Sequence, residues 1–299
     1  MLKRAWKKWG PNPFERLLKK AEAQGKKRFL IVWNRGLGDI ALGLYALTFR
    51  LREVIPNAEI TFLTREDLRE GFSLLQDVHV LSSTSLKRGE SCDLSTNLEK
   101  IGRKISDFDL LIEKPDPTHW VRWQLGKLTP KLKWENSWDE LSSSFGFDEN
   151  SDYIGLQPQT ETEYGYEKNW PMSYWNELIE HFTKERGVKV VLFGKSRATF
   201  PVENTLDLRG KTNLFELLSI IKNRLKVLVV PDSGILSLTY FLDAKFPLKV
   251  ISLWADPNQG VLKQNVPSPN SELVHVPLVA KDADLRNVSV SEVLHNVRD

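Results

Sequence analysis

Short apolar runs alternate with stretches of helical periodicity through most of the chain. Residues 29–33 (FLIVW) form a run too short for a core helix and rich in β formers, which reads as a buried parallel strand. It runs into Gly36-Leu37-Gly38-Asp39, after which Ile40, Leu44, Leu47 and Leu51 recur at helical spacing, so the pattern predicts strand, tight glycine turn, helix. Residues 58–64 and 78–81 predict two further strands; Leu98, Ile101 and Ile105 mark a helix, and 108–112 another strand. Near 145–152 the chain turns polar. The alternation then restarts, with strands at 153–156, 188–193, 226–230 and 247–254 and helices at 174–185, 214–221 and 235–242. This predicts an α/β protein of two parallel sheets wrapped by helices, with domains at 27–148 and 149–299 and an extension at 1–26.

Each half has a glycine-bearing turn after a strand: Gly36 to Asp39, and Pro231-Asp232-Ser233-Gly234. In an open α/β sheet such turns lie at the carboxyl edge, where ligands bind, and Gly36 and Gly38 let the backbone approach one closely. Facing sheets would set both turns across one cleft. Asp39 would stand at its mouth; the alternative is a plain helix N-cap. The second turn is the better phosphate site, because the N–H groups of Ser233, Gly234 and Ile235 point out of a helix start. Lys168 follows the first strand of that half and can reach the same phosphate as a point charge, unless it is a solvated loop lysine. The other reading of Asp232 is again an N-cap. In the first half, the strand at 108–112 delivers Glu113, His119 and Arg122, which suit a phosphorylated or sugar-like acceptor if they are not merely a proline-rich surface turn. Neither glycine turn has the six-residue dinucleotide fingerprint, which disfavours a nicotinamide oxidoreductase. Asp107-Phe108-Asp109 precedes its strand, so both carboxylates fall at the wrong edge to hold a metal-bound diphosphate, and no metal site is expected.

Composition adds three constraints. Of 299 residues, 41% are hydrophobic and 27% charged, as in a globular chain. Cys92 is the only cysteine, which rules out an internal disulfide or a cysteine zinc site and suits a reducing cytosol. No apolar run approaches the roughly 20 residues needed to span a bilayer. The formal charge of +3 is uneven: residues 1–28 hold ten Lys or Arg against Glu15 and Glu22, net +8, which leaves −5 for the rest. In that basic head, Trp6 and Trp9 precede Asn12-Pro13-Phe14-Glu15, a helix start, and Phe14, Leu17, Leu18 and Ala21 share one face before Gly25. The segment reads either as an interfacial anchor for an anionic membrane surface or as a helix packed on the body. Nucleic acid is not expected, since no stacking platform or basic groove follows.

Four segments in order resemble glycosyltransferase family nine, the bacterial heptosyltransferases of lipopolysaccharide core assembly. They are the Leu37-Gly38-Asp39 turn, Lys168-x-Trp170-Pro171, the Asp207-Leu-x-Gly-Lys-Thr-x-Leu run and the Asp232-Ser233-Gly234 turn. The resemblance implies a GT-B architecture of two Rossmann-like domains, the first holding the acceptor and the second a nucleotide sugar. It implies inverting, metal-independent transfer of a heptose-like sugar from an ADP-linked donor to an anionic glycolipid of the lipopolysaccharide-core type, with no cofactor beyond that donor. It implies Asp39 as catalytic base, Lys168 as donor-phosphate lysine, Asp232, Ser233 and Gly234 as the donor turn, and a closing helix within 289–299 that returns towards the first domain. Localisation is then expected in the cytoplasm, peripheral on the inner membrane. Ser237, expected on the donor-binding side, stands where the family usually has histidine, the loop at 159–167 is acidic through Glu161, Glu163 and Glu167, and Gly194-Lys195-Ser196-Arg197 lacks an acidic ribose partner. These departures motivate a second function, a GT-B protein that binds a nucleotide sugar or glycan without turnover.

Overall fold

A computed structural model describes residues 12–162, 167–184, 188–194, 200 and 205–298. Trp6, Trp9, Glu163 and Lys195 to Arg197 lie outside the described residues. The chain divides into two compact units between Lys133 and Trp134. That division precedes the polar stretch at 145–152, because the 3-10 turns of Asn136–Phe145 are fastened to a helix of the second unit: Ser219 Oγ donates to Asp139 O at 3.0 Å and Lys222 Nζ to Asp139 Oδ1 at 2.7 Å.

The first unit contains α1 (Pro13–Ala23), β1 (Arg28–Trp33), α2 (Tyr45–Val54), β2 (Glu59–Arg65), α3 (Arg69–Ser73), β3 (Val78–Ser83), α4 (Leu94–Lys100) and β4 (Leu110–Ile112). The strands are parallel in the order β3-β2-β1-β4, with Phe29 of β1 opposite Ile60 and Leu110. β1 is central, which is why Phe29 to Trp33 are all buried and why the sequence there shows no polar alternation. At the amino edge Asp109 accepts from the N–H groups of Lys27 and Arg28 at 3.0 and 2.9 Å and from the Arg28 guanidinium at 2.7 Å. The guanidinium and the two backbone donors hold its carboxyl well below the usual carboxylate range. Asp107 accepts from Lys104 N at 3.0 Å, so both aspartates of that pair fasten the start of β4. The helix marked by Leu98, Ile101 and Ile105 begins earlier, at Leu94, where Asp93 caps it by accepting from Thr96 N at 3.2 Å, and it stops before Gly102, whose φ is +71°.

The second unit contains β5 (Asp152–Leu156), α5 (Met172–Lys184), β6 (Val188–Leu192), β7 (Thr205–Asp207), α6 (Leu214–Arg224), β8 (Leu225–Pro231), α7 (Gly234–Tyr240), β9 (Leu248–Trp254), α8 (Gly260–Gln264), β10 (Leu273–Val279) and α9 (Val290–Arg298). Its six strands are parallel in the order β10-β9-β8-β5-β6-β7, a doubly wound Rossmann order with its switch between β5 and β8. β7, α8 and β10 are not predicted from the sequence. β10 is an edge strand with Val274 and Val279 exposed and Pro277 in its middle, so neither apolar continuity nor clean alternation marks it. α9 packs on β9 and α5, with Val290 and Val293 buried in the same core as Trp170 and Trp175.

α1 packs its apolar face on the body, as far as the basic head is described. Phe14, Leu18 and Ala21 are fully buried, Phe14 stacks on Trp120 with ring centroids 5.4 Å apart, Asn12 Nδ2 donates to Trp120 O at 2.5 Å, and Arg50 grips Glu15 with two bonds of 2.7 and 2.8 Å. The apolar face is therefore core, while Arg16, Lys19 and Lys20 face outward. Among the described residues no helix is long and apolar enough to cross a membrane. Phe14→Ala is expected to cost about 3 kcal/mol or more of stability, read as a lowered urea midpoint with an unchanged slope. An unaltered midpoint would mean that α1 is not part of the core.

Candidate functional site

The side chains singled out in the sequence lie at the two topological switches, one within each unit. In the second unit, Lys168 after β5 and Asp232 after β8 meet at the switch: Lys168 Nζ lies 2.9 Å from Asp232 Oδ2, with side chains 25% and 7% exposed. Lys168 is delivered by a rooted loop. Trp170, two residues on, is buried, donates its indole N–H to Val288 O at 2.8 Å and packs edge-on against Trp175. Asn169 exchanges bonds with Thr160, Thr160 N to Oδ1 at 2.8 Å and Nδ2 to Thr160 O at 3.1 Å, which closes the loop at its base. Glu167 Oε1 accepts from the N–H groups of Lys168 and Asn169 at 2.9 and 2.6 Å. Lys168 is thus no freely solvated loop lysine.

The N-cap of α7 is Ser233, not Asp232. Ser233 Oγ accepts from Leu236 N at 3.2 Å and donates to Gln157 Oε1 at 3.2 Å, tying the turn to the residue that follows β5. Asp232 N extends the sheet by donating to Leu253 O at 3.2 Å, and the carboxylate faces Lys168. Gly234 stands half-buried as the first residue of α7. Ser237 lies deeper, 1% exposed, with its hydroxyl donated to Ser233 O at 3.0 Å. A cation and a helix start thus lie together at one switch, an arrangement whose charge suits an anion.

In the first unit, the turn after β1 and the loop after β4 share the switch between those strands. Asp39 makes no capping bond to the helix that follows, which opens with a wide π-turn, Tyr45 N donating to Ile40 O. Its carboxylate lies over Gly36: a Cβ at that glycine would stand 2.7 Å from Asp39 Oδ2. Trp33 Nε1 donates to Gly36 O at 3.1 Å and Gly38 O accepts from Leu42 N at 3.0 Å, so the carbonyls of both glycines are tied down within the turn that delivers Asp39. The β4 loop rests on the π-turn. Gly43 has no room for a Cβ because Pro117 lies against it, and Gln124 Nε2 donates to Leu42 O at 2.7 Å. On that loop His119 Nδ1 is held by Asp116 Oδ2 at 2.8 Å, while Glu113 and Arg122 are exposed.

Gln157, Asp116, Trp254 and Gly260 belong to these sites and are not foreseen in the sequence. Gln157 has one local signal, as the first residue after a buried strand, and Asp116 has another, three residues before the histidine it holds; Gly260 and Trp254 belong through groups distant along the chain, Asp232 and His275. Trp254 Nε1 donates to Ser252 Oγ at 2.6 Å, and that oxygen lies 2.6 Å from His275 Nε2. The indole N–H donates to that oxygen, and the imidazole tautomer sets which of Ser252 Oγ and His275 Nε2 supplies the proton between them. Burial pushes the His275 imidazole down to about 4. Among the described residues no group of three or more His, Cys, Asp or Glu side chains is arranged to hold a metal ion.

With that geometry in hand, the chain can be set beside known proteins. Residues 110–276, more than half of its length, match the family model described as Glycosyltransferase family 9 (heptosyltransferase). Among solved structures, Escherichia coli ADP-heptose lps heptosyltransferase II is 17% identical with a TM-score of 0.65, over 91% of this chain and 98% of that one. E. coli heptosyltransferase WaaC with ADP is 16% identical with a TM-score of 0.50, over 91% and 97%. The iron-containing dodecameric glycosyltransferase TibC of enterotoxigenic E. coli is 14% identical with a TM-score of 0.52, over 91% and 76%. No curated protein sequence matches the chain. At such identities the likeness carries the fold, two Rossmann-like parallel-sheet domains of the GT-B type.

His275 makes a pH prediction. Its folded value of about 4 lies below the unfolded value of about 6.5, so in that window the unfolded chain binds a proton that the folded chain refuses. Stability therefore rises with pH across the window and is lost on acidification, by about 3 kcal/mol over its full width. Urea midpoints measured between about pH 7 and pH 5 should fall in the natural protein and stay level in His275→Gln. Parallel slopes for the two proteins would contradict it.

Proposed function

Because the chain belongs to glycosyltransferase family 9 and is a glycosyltransferase, we propose that it moves a heptose-like sugar from an ADP-linked donor to an anionic glycolipid of the lipopolysaccharide-core type, with inversion and without a metal. The observation that carries this reading is the Lys168–Asp232 pair beside the Ser233-capped helix start, a diphosphate cradle at the switch of the second unit. In the reaction, Asp39 takes the proton of an acceptor hydroxyl as its oxygen bonds to the anomeric carbon. The bond from that carbon to the diphosphate breaks on the opposite face, and ADP leaves with the electron pair. Lys168 and the N–H groups of Ser233 and Gly234 meet the charge that develops on the leaving phosphate, and Asp232 orients the lysine. Gly36, Gly38, Glu113, His119 and Arg122 line the acceptor side. Ser237, in the place of the family's usual histidine, offers its hydroxyl to Ser233 O. That substitution favours a second reading, nucleotide-sugar binding without turnover, which predicts ADP affinity and no consumption of donor.

Asp39→Ala should lower kcat by about 10² to 10⁴ and leave the affinity for ADP unchanged. Near-normal transfer by that variant would remove Asp39 as the base. Thermal shifts with ADP, UDP, GDP and their sugars test the donor, with ADP expected to give the largest rise. A chelator should not slow transfer; a loss of activity restored by added iron would align the chain with TibC and overturn the metal-free mechanism.

Membrane attachment is proposed through the outward basic face of α1, at roughly 1 kcal/mol per basic residue near an anionic leaflet, on the cytoplasmic side of the inner membrane. Lys19→Glu with Lys20→Glu should reduce sedimentation with anionic vesicles while the urea midpoint holds; undiminished sedimentation would discard this attachment.

A further inference from the structure

Gly260 is the first residue of α8, with φ at +49°, and sits directly behind the carboxylate that holds Lys168. A Cβ added there would fall inside contact distance of Asp232 Oδ1, and 2.7 and 2.9 Å from Cη2 and Cζ3 of Trp254. Neither neighbour has anywhere to go. Trp254 is fully buried and its indole is pinned to Ser252, itself fully buried and bonded to His275. Asp232 is 5% exposed, its backbone N–H is fixed to Leu253 O and its other carboxylate oxygen is on Lys168. The volume that a side chain would fill at position 260 is the volume in which the Asp232 carboxylate stands.

We infer that Gly260 is a positioning residue for Lys168: its missing side chain, walled by the Trp254 ring, sets where the Asp232 carboxylate sits and hence where the ammonium group is presented. Gly260 does not touch the lysine. It acts through Asp232, and the Trp254–Ser252–His275 chain acts as the fixed backstop. The inference rests on the reading that Lys168 receives the donor diphosphate. A purely local role for the glycine is the competing account, since its left-handed backbone alone favours glycine.

A double-mutant cycle on ADP binding separates the two, because only coupling through the carboxylate makes the substitutions non-additive. Gly260→Ala, Asp232→Ala and the double variant are titrated with ADP by calorimetry. Each single change is expected to weaken ADP by about tenfold, since small displacements of a charged contact cost that much or more, and the double variant should bind no worse than Asp232→Ala. Multiplying effects, about 100-fold in the double variant, would overturn the inference. If Gly260→Ala alone does not fold, the comparison of the double variant with Asp232→Ala decides: equal affinity supports the positioning role, and a further loss refutes it. Lys168→Ala is the control for the underlying reading. If its ADP affinity is unchanged, the diphosphate assignment fails; if it drops while Gly260→Ala binds as the natural protein does, only the positioning role is lost.

Discussion

An ion pair set into the point where the strand order reverses is what the second unit is built to hold. The connections that leave β5 and β8 depart to opposite faces of the sheet, so a crevice stays open at their carboxyl ends. A carboxylate 7% exposed in such a place is costly without a partner, and stripping one member from a buried pair typically costs about 3 to 5 kcal/mol. The surrounding structure reads as the means of keeping that pair in register. Trp170 anchors the lysine's loop in the core, Asn169 and Thr160 close it, Ser233 takes over the capping of α7, and Gly260 leaves the carboxylate its room.

The first unit applies the same topology to a different task. Its switch lies between β1 and β4, and both connections there are short of helix at first: a glycine turn with a π-turn on one side, a proline-bearing loop on the other. Close backbone approach joins them, since Pro117 fills the space beside Gly43 and Gln124 bonds to Leu42. The wide turn leaves Asp39 outside the helix-capping pattern. α1 then braces the loop from its far side through Phe14 and Trp120. A basic segment that by charge alone resembles a surface anchor is thereby a structural member of this unit through its apolar face.

Low identity with solved heptosyltransferases goes with a shared fold, which is what physical reasoning expects. The switch points need only strand order, short turns at the carboxyl edge and a few residues of fixed chemistry, so the helices and edges that wrap them are free to drift. Ser237 illustrates the drift: a buried hydroxyl can satisfy itself on the preceding turn of its own helix, whereas an imidazole there would have to find a partner elsewhere.

The sequence by itself determined the parallel α/β class, the two-part organisation, both glycine turns and the identity of the lysine and the aspartates. Those features are local: an apolar run of strand length, a turn rich in glycine and a helical period are legible wherever they occur. Weak or edge elements were not legible, because β10 and β7 present too little buried surface to leave a pattern. Only the tertiary structure decided that Ser233 and not Asp232 caps α7, that the carboxylate freed in this way meets Lys168, that α1 is core on one face, and that Gly260 stands behind the pair. Each of these depends on which groups distant along the chain come within bonding distance, and spacing within a sequence carries no distance between its folded parts.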